Sequence, residues 1–413
     1  MQAPPSAGGR PCLTAARLPA HVQQALRRRA GGAAGYVYDL EAVTARARRL
    51  RAALPAGVDV CFAMKANSHP EVLAALVRGG VDGFDVASAA ELESAAALRE
   101  RHSRLRVLAT GPAKTESFLA ALLDRRADVV NVESRLETHR LSALAVARGV
   151  TVPVALRVNP AEVPVGGSLV MGGAPTQFGI PEDEVSQVLA LAQELPGVHP
   201  VGFHVHAVCQ NLDPAAHAAY VGWCVQWSRA LADRHGLALR VVDAGGGIGV
   251  PFDSGEAAFD VERFGAELAR LTLPAGARLV VEPGRWLVTE AGWYAAEVVD
   301  VKHAYGETFV LVRGGINHFQ LPISWDIVHN FVVLPVDDWP HDFPRPEAVD
   351  TPVTVVGELC TTEDTLARDI TVPRIRAGDL VVFPDAGSYG WEFAMPNFLG
   401  HPAADRTLVS DET

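Results

Sequence analysis

The chain has 413 residues, 49% hydrophobic and 20% charged, a composition ordinary for a soluble globular protein. It is too long for one ordinary core, so two domains are expected. Its formal charge of −12 argues against a nucleic-acid partner, which would draw on clustered Lys and Arg. The cysteines (Cys12, Cys61, Cys209, Cys224, Cys360) are scattered and lack CxxC spacing, so neither a disulfide framework nor a zinc site is expected. With no signal-peptide-like segment and no apolar run of about 18 residues, a cytoplasmic location is expected.

In chain order, residues 1–35 mix Pro, Gly, Ala and Arg, ending in Gly31-Gly32-Ala33-Ala34-Gly35. They predict a lead-in that contains a short Arg-rich helix and partly joins a later β domain. A regular alternation follows. Strands are predicted at Val58–Ala63, Gly83–Ala87, Arg106–Ala109, Asp128–Val132, Val154–Val158, Val201–Val205, Leu239–Asp243 and Arg278–Val281. Helical stretches lie between them at Ala89–Arg101, Glu116–Arg125, Arg135–Arg148, Asp183–Glu194 and Ala215–His235. Eight strands alternating with helices over roughly 225 residues have the rhythm of a (β/α)8 barrel, placed at residues 36–285. An open doubly wound sheet shares the alternation, and pattern alone leaves it open. From residue 286 to 413 the runs Tyr294–Val301, Thr308–Val312, Thr354–Val356 and Leu380–Phe383 predict a mostly antiparallel β domain, with Pro335–Pro352 as a surface loop.

In such a barrel, chemistry collects at the C-terminal strand ends. Strand one ends in Met64-Lys65-Ala66-Asn67, strand two in Asp85-Val86-Ala87-Ser88 and strand five in Arg157-Val158-Asn159. Strand six ends in His204-Val205-His206, strand seven runs into Asp243-Ala244-Gly245-Gly246-Gly247, and strand eight into Glu282-Pro283-Gly284-Arg285.

Lysine is scarce: Lys65, Lys114 and Lys302 stand among 36 basic residues. A Lys kept at an apolar strand end suggests a task Arg cannot do, namely forming a Schiff base. Lys114 is the rival candidate, and a strand-end Lys reaching for water is the bland alternative. The Gly245–Gly247 turn offers backbone N–H groups to an anion, and Arg285 can add a bidentate contact, which together suggest a phosphate site. Glu282 can keep a pyridine nitrogen protonated, with His204 stacked on the ring and Asp85 and Arg157 as supporting partners. A His204–His206 pair also suits a metal-dependent barrel, so that rival class stays open.

Taken together, Phe62-Ala63-Met64-Lys65-Ala66-Asn67, Gly83-Phe84-Asp85-Val86-Ala87-Ser88, Phe203-His204-Val205-His206, Gly245-Gly246-Gly247, Glu282-Pro283-Gly284-Arg285, Gly357-Glu358-Leu359-Cys360 and Gly387-Ser388-Tyr389-Gly390 resemble the fold type III pyridoxal 5'-phosphate (PLP) enzymes, the alanine-racemase-like group. The likeness is to the ornithine/diaminopimelate decarboxylase branch and runs from about residue 36 to 402. It implies PLP on Lys65, His204 stacked on the cofactor ring and Glu282 at its nitrogen. It also implies phosphate contacts from Gly245, Gly246, Gly247, Gly284, Arg285 and Tyr389. A head-to-tail homodimer is implied, in which Cys360 and Asp364 reach the partner's site and Cys360 protonates the product carbanion. Gly-Glu-Leu-Cys favours decarboxylation; a racemase of the same fold would use a Tyr there instead.

Two departures bear on the substrate. An acidic residue follows the catalytic Cys in ornithine and diaminopimelate decarboxylases, but Thr361 follows here; and His206-Ala207 replaces a Gly-Ser that helps hold phosphate. Gln210–Asp213, Arg313–Phe319 (with His318), Gly357–Thr361 and Asn397–Pro402 look closer to siderophore-cluster decarboxylases of the citryl-diaminopropionate type, although Trp391–Pro396 lacks the His-containing pattern of that type. The expected substrate is therefore an amino acid or amino-acid conjugate of specialised metabolism, read by His206, His318, Thr361 and Asp364. A decarboxylase of primary metabolism, a PLP racemase or epimerase, a metal-dependent hydrolase and a non-catalytic PLP-binding protein are the alternatives.

Overall fold

A computed structural model describes residues 10–28, 34–163, 169–170, 173, 175–252, 255–325, 327 and 329–410. Residues 1–9 and 29–33 of the lead-in lie outside these. The chain divides into two compact units: residues 43–251 with 257–287, and residues 1–42 with 252–256 and 288–413.

The first unit is a closed parallel barrel of β1 (Val58–Ala63), β2 (Gly83–Val86), β3 (Arg106–Ala109), β4 (Val129–Val132), β5 (Val152–Asn159), β6 (Val198–Val205), β7 (Val241–Asp243) and β8 (Arg278–Val281). β8 pairs with β1 and β6 with β5, so the ring closes and the open-sheet alternative is overturned. The strands are mostly apolar because both faces are covered. A layer of Cys61, Leu108, Val129, Ala155, Val201, Val241 and Val280 fills the interior, drawn from seven of the eight strands.

Helices begin straight after strands, where short polar side chains satisfy the first free N–H groups. Ser88 caps Ala89–Arg101 by accepting from the Glu91 N–H, Ser134 caps Arg135–Ala147 through Glu137, and Asp213 caps Pro214–His235 through Ala215 and Ala216. At the opposite end of the barrel Asp59 is gripped by Arg106 and Arg278, an arrangement that serves stability.

The second unit is a nine-stranded mixed sheet. Its spine is Gly292–Ala304, paired with Glu307–Val312 and Leu380–Phe383, and Glu347–Val356 pairs antiparallel with Thr365–Arg376. Tyr36, Tyr294, Phe319 and Phe383 form its aromatic centre. Two expectations need correction. The strand Gly35–Asp39 pairs with Gly292–Ala304 and Asp405–Val409, so the barrel unit starts at residue 43 and not 36. The expected loop 335–352 becomes strand from Glu347, because its residues find a partner in Thr365–Arg376, a strand the periodicity misses. The lead-in helix is present at Ala20–Arg27. Among the described residues, no helix is long and apolar enough to cross a membrane.

Candidate active site

Strand register gathers the site. His204 lies beside Arg157 on β5 and beside Asp243 on β7, while Ala63, two residues before Lys65, lies beside Asp85. Parallel pairing thus brings residues distant in sequence into one layer at the C-terminal end of the barrel.

Lys65 sits in the 3-10 turn Met64–Ala66, between two buried neighbours, with its own side chain 43% exposed. Its Nζ is 3.5 Å from Asp85 Oδ2. Burial, and then the charge of Glu282, pushes the Asp85 carboxyl up to about 7.

Lys114 is placed very differently. Its side chain is 1% exposed, and Nζ donates to Gly111 O (2.8 Å), Asn131 O (2.8 Å) and Glu137 Oε1 (2.7 Å). Three acceptors use all three N–H bonds of an ammonium, so the rival amine is a structural cation. It belongs to a buried lattice in which Glu133 accepts from Arg157 Nη1 (2.8 Å) and from the Gly111 and Gly179 backbone N–H groups. Burial opposes the Glu133 charge, but Arg157 and Lys114 outweigh it and hold the carboxyl below its ordinary range. The Arg157 guanidinium also lies over the Phe178 ring at 4.7 Å. Replacing Lys114 by Met should cost about 3–5 kcal/mol of stability, because it strands buried carboxylates without their cation. Chemical denaturation measures this; a loss below about 1 kcal/mol would refute the structural role.

His204 is fully buried, with Nε2 3.3 Å from Glu282 Oε2, and burial holds its imidazole below the ordinary value. For Glu282, burial works against the charge, but His204 and Lys65 outweigh it and keep the carboxylate ionised. Asp243, which sequence reasoning passed over, completes the group: one ligand atom each of His204, Asp243 and Glu282 lie within 4.8 Å of one another. Burial, then the charge of Glu282, raises the Asp243 carboxyl well above the usual range.

The glycine turn follows. Gly245 and Gly247 have φ of 66° and 109°, values that favour residues without a Cβ. The Gly245 N–H donates to Asp243 Oδ1 (2.9 Å) and the Gly246 N–H to His206 Nδ1 (3.0 Å). Two amides expected to face an anion are thus engaged within the protein, one of them by the residue replacing the family's glycine. A Cβ on Gly245 would lie 2.5 Å from His206 Nδ1, so the imidazole packs on the turn itself. Its Nε2 faces Cys209 Sγ at 3.3 Å. With both ring nitrogens so occupied, the His204–His206 metal pair of the rival reading is not formed. Burial and then Lys65 hold His206 well below its ordinary value, so it is neutral, with its single proton on Nε2. Arg285 is buried at the start of the short helix Arg285–Val288, just past Gly284, whose carbonyl accepts from Leu287.

The remaining expected residues belong to the β unit. Cys360 is exposed, and beside it the Thr361 N–H bonds Leu359 O. Asp364 accepts the backbone N–H groups of Ile316 and Leu359, both at 2.7 Å, and so braces the loop that bears Cys360. His318 spends its nitrogens on Pro402 O (2.7 Å) and Tyr294 Oη (3.4 Å). Both polar groups are thereby accounted for inside their own unit. Tyr389 has φ of 58° and its ring lies 5.1 Å from that of Trp325.

One reachable amine, a glycine turn beside a buried arginine and a buried carboxylate–imidazole pair fit PLP. Glu282 Oε1 and His204 Nδ1 are buried without hydrogen-bond partners, as groups awaiting a ligand would be.

Residues 40–289 match the family "Pyridoxal-dependent decarboxylase, pyridoxal binding domain", and the chain belongs to that family. It is a PLP-dependent decarboxylase. It is 34% identical over 371 residues (89% of this chain, 92% of the other) to the 2-[(L-alanin-3-ylcarbamoyl)methyl]-2-hydroxybutanedioate decarboxylase of Staphylococcus aureus. It is 32% identical over 377 residues (89% and 86%) to the L-glutamyl-[BtrI acyl-carrier protein] decarboxylase of Niallia circulans. The solved diaminopimelate decarboxylase of Helicobacter pylori complexed with L-lysine superposes with a TM-score of 0.79 at 25% identity, covering 92% of each chain. The barrel-plus-sheet architecture is thus shared along nearly the whole chain.

Proposed function

We propose that this decarboxylase acts on an amino acid carried within a larger conjugate, in specialised metabolism such as siderophore assembly, and that it does so in the cytoplasm as a homodimer with shared active sites. The observation that carries the substrate reading is the 34% identity, over 92% of its length, to an enzyme named for an alanine unit joined through a carbamoyl group to a hydroxybutanedioate. The enzyme named for an L-glutamyl group on a carrier protein is likewise named for a conjugate. Thr361, where an acidic residue would read a distal ammonium, supports a substrate without that charge.

Bound here, PLP supplies a protonated ring that accepts the electron pair freed when a Cα–carboxylate bond breaks. Lys65 provides the anchoring amine and Asp85 holds it in place. Glu282 keeps a proton at the ring nitrogen, and His204 walls the ring. Arg285 and Gly247 hold the phosphate, with His206 bracing the turn. Cys360, from the partner subunit in the homodimer, returns a proton to Cα.

The test is carbon dioxide release from the citrate–diaminopropionate amide and from meso-diaminopimelate. We expect kcat/KM for the conjugate to exceed that for diaminopimelate by about 100-fold or more, the discrimination expected where a site is built for groups the competitor lacks. Equal or reversed preference would overturn the substrate reading, and deuterium exchange at Cα without carbon dioxide release would point to racemisation.

A further inference from the structure

We propose that Asp243 is a positioning residue held as a neutral carboxylic acid, donating its proton to Glu282 so that Glu282 remains the anion of the pair. The proposal rests on the decarboxylase reading of the site but not on the identity of the substrate.

The geometry leaves few alternatives. Asp243 ends β7, and its Oδ1 accepts the Gly245 N–H at 2.9 Å, which fixes the plane of the carboxyl group. The carbonyl of Gly245 in turn accepts the Glu282 N–H at 2.8 Å, so one residue ties both acids to a common frame. The two other oxygens, Asp243 Oδ2 and Glu282 Oε1, are buried and have no hydrogen-bond partner. One oxygen of each acid and a nitrogen of His204 fall within 4.8 Å of one another.

Two carboxylates held so close, away from water, cannot both carry charge. Facing Asp243 and its partner are Asp85, the thiols of Cys61 and Cys224, and His204. Among the described residues no arginine or lysine bonds Asp243, so a shared proton is the available compensation. Glu282 has the cationic company, with Lys65 among its neighbours, whereas Asp243 does not. The proton therefore resides on Asp243.

A donor on Glu282 stabilises its anion, and an anion is what keeps a pyridine nitrogen protonated. Were Asp243 unable to donate, Glu282 would take up a proton at higher pH and the electron sink would weaken.

Infrared difference spectra on cofactor-free protein test the proton, and kinetics on the loaded enzyme test its use. We expect a protonated-carboxyl band in the wild type that is lost in Asp243→Asn and shifted in Glu282→Gln. In the loaded enzyme, Asp243→Asn, whose amide still donates, should lower kcat about 3- to 10-fold; Asp243→Leu should lower it about 100-fold or more. The acid limb of the Asp243→Leu pH profile should move upward by about one unit, equal to a tenfold change in proton affinity. Absence of the wild-type band overturns the assignment while leaving the decarboxylase reading intact. So does an Asn variant as impaired as the Leu variant, or an unmoved acid limb. The wild-type and Glu282→Gln spectra do not depend on how well Asp243→Leu folds.

Discussion

A Lys65→Ala protein is expected to lose decarboxylation by about 10^4-fold or more and, after borohydride reduction in the presence of PLP, to yield no modified peptide from the barrel. Access decides between the candidate amines. Of the two lysines near strand ends, Lys114 has every proton of its ammonium committed to an acceptor, whereas Lys65 reaches from between two buried residues with nearly half its side chain exposed. Peptide mapping of reduced wild-type protein should therefore find the pyridoxyl group at position 65, and finding it at 114 would overturn the assignment. The same variant tests the proposed homodimer. Mixed with inactive Cys360→Ala subunits, it should regain up to about a quarter of wild-type activity, since half of randomly formed twofold dimers carry one intact site of two. No recovery would rule out sites shared between subunits.

Glu282→Gln is expected to lower kcat by about 10^2- to 10^3-fold while cofactor binding persists, the usual scale for removing a group that stabilises charge in the transition state. Gln cannot stay anionic, so a ring proton loses its counter-charge just where electrons must arrive. The effect should fall on kcat, because the proposed role of the carboxylate is at the cofactor ring and not at the substrate's distant parts. An unchanged kcat with a raised KM would place Glu282 in substrate binding and remove it from the electron sink.

Much of this site was legible from chain order alone. β1, β3 and β8 have the limits their apolar runs predict, because a strand buried on both faces has little freedom in where its hydrophobic residues stop. Lys65, His204 and Glu282 stood out as polar residues at the ends of such runs. The misses share a cause: they depend on partners far away in sequence. Gly35–Asp39 carries no predicted strand, and only its pairing with Gly292–Ala304 makes it one and assigns it to the other unit. Thr365–Arg376 is interrupted by charges and Pro373, which its antiparallel partner tolerates. Asp243 reads as a turn-forming acid before glycines until Glu282 is seen beside it. Glu133 likewise gains meaning only from Arg157 and Gly179. His206 is visible at a strand end, but composition says nothing of its engagement with the Gly246 amide.

The inaccessibility of Lys114 turns the scarcity of lysine into an instrument. Amine-directed acylating reagents should meet two lysine side chains in the folded, cofactor-free protein, Lys65 and Lys302, the latter 59% exposed. Occupation of the barrel mouth would shield the first and leave the second. Intact-mass labelling then reports fractional cofactor loading directly, with Lys302 serving as an internal standard in each sample.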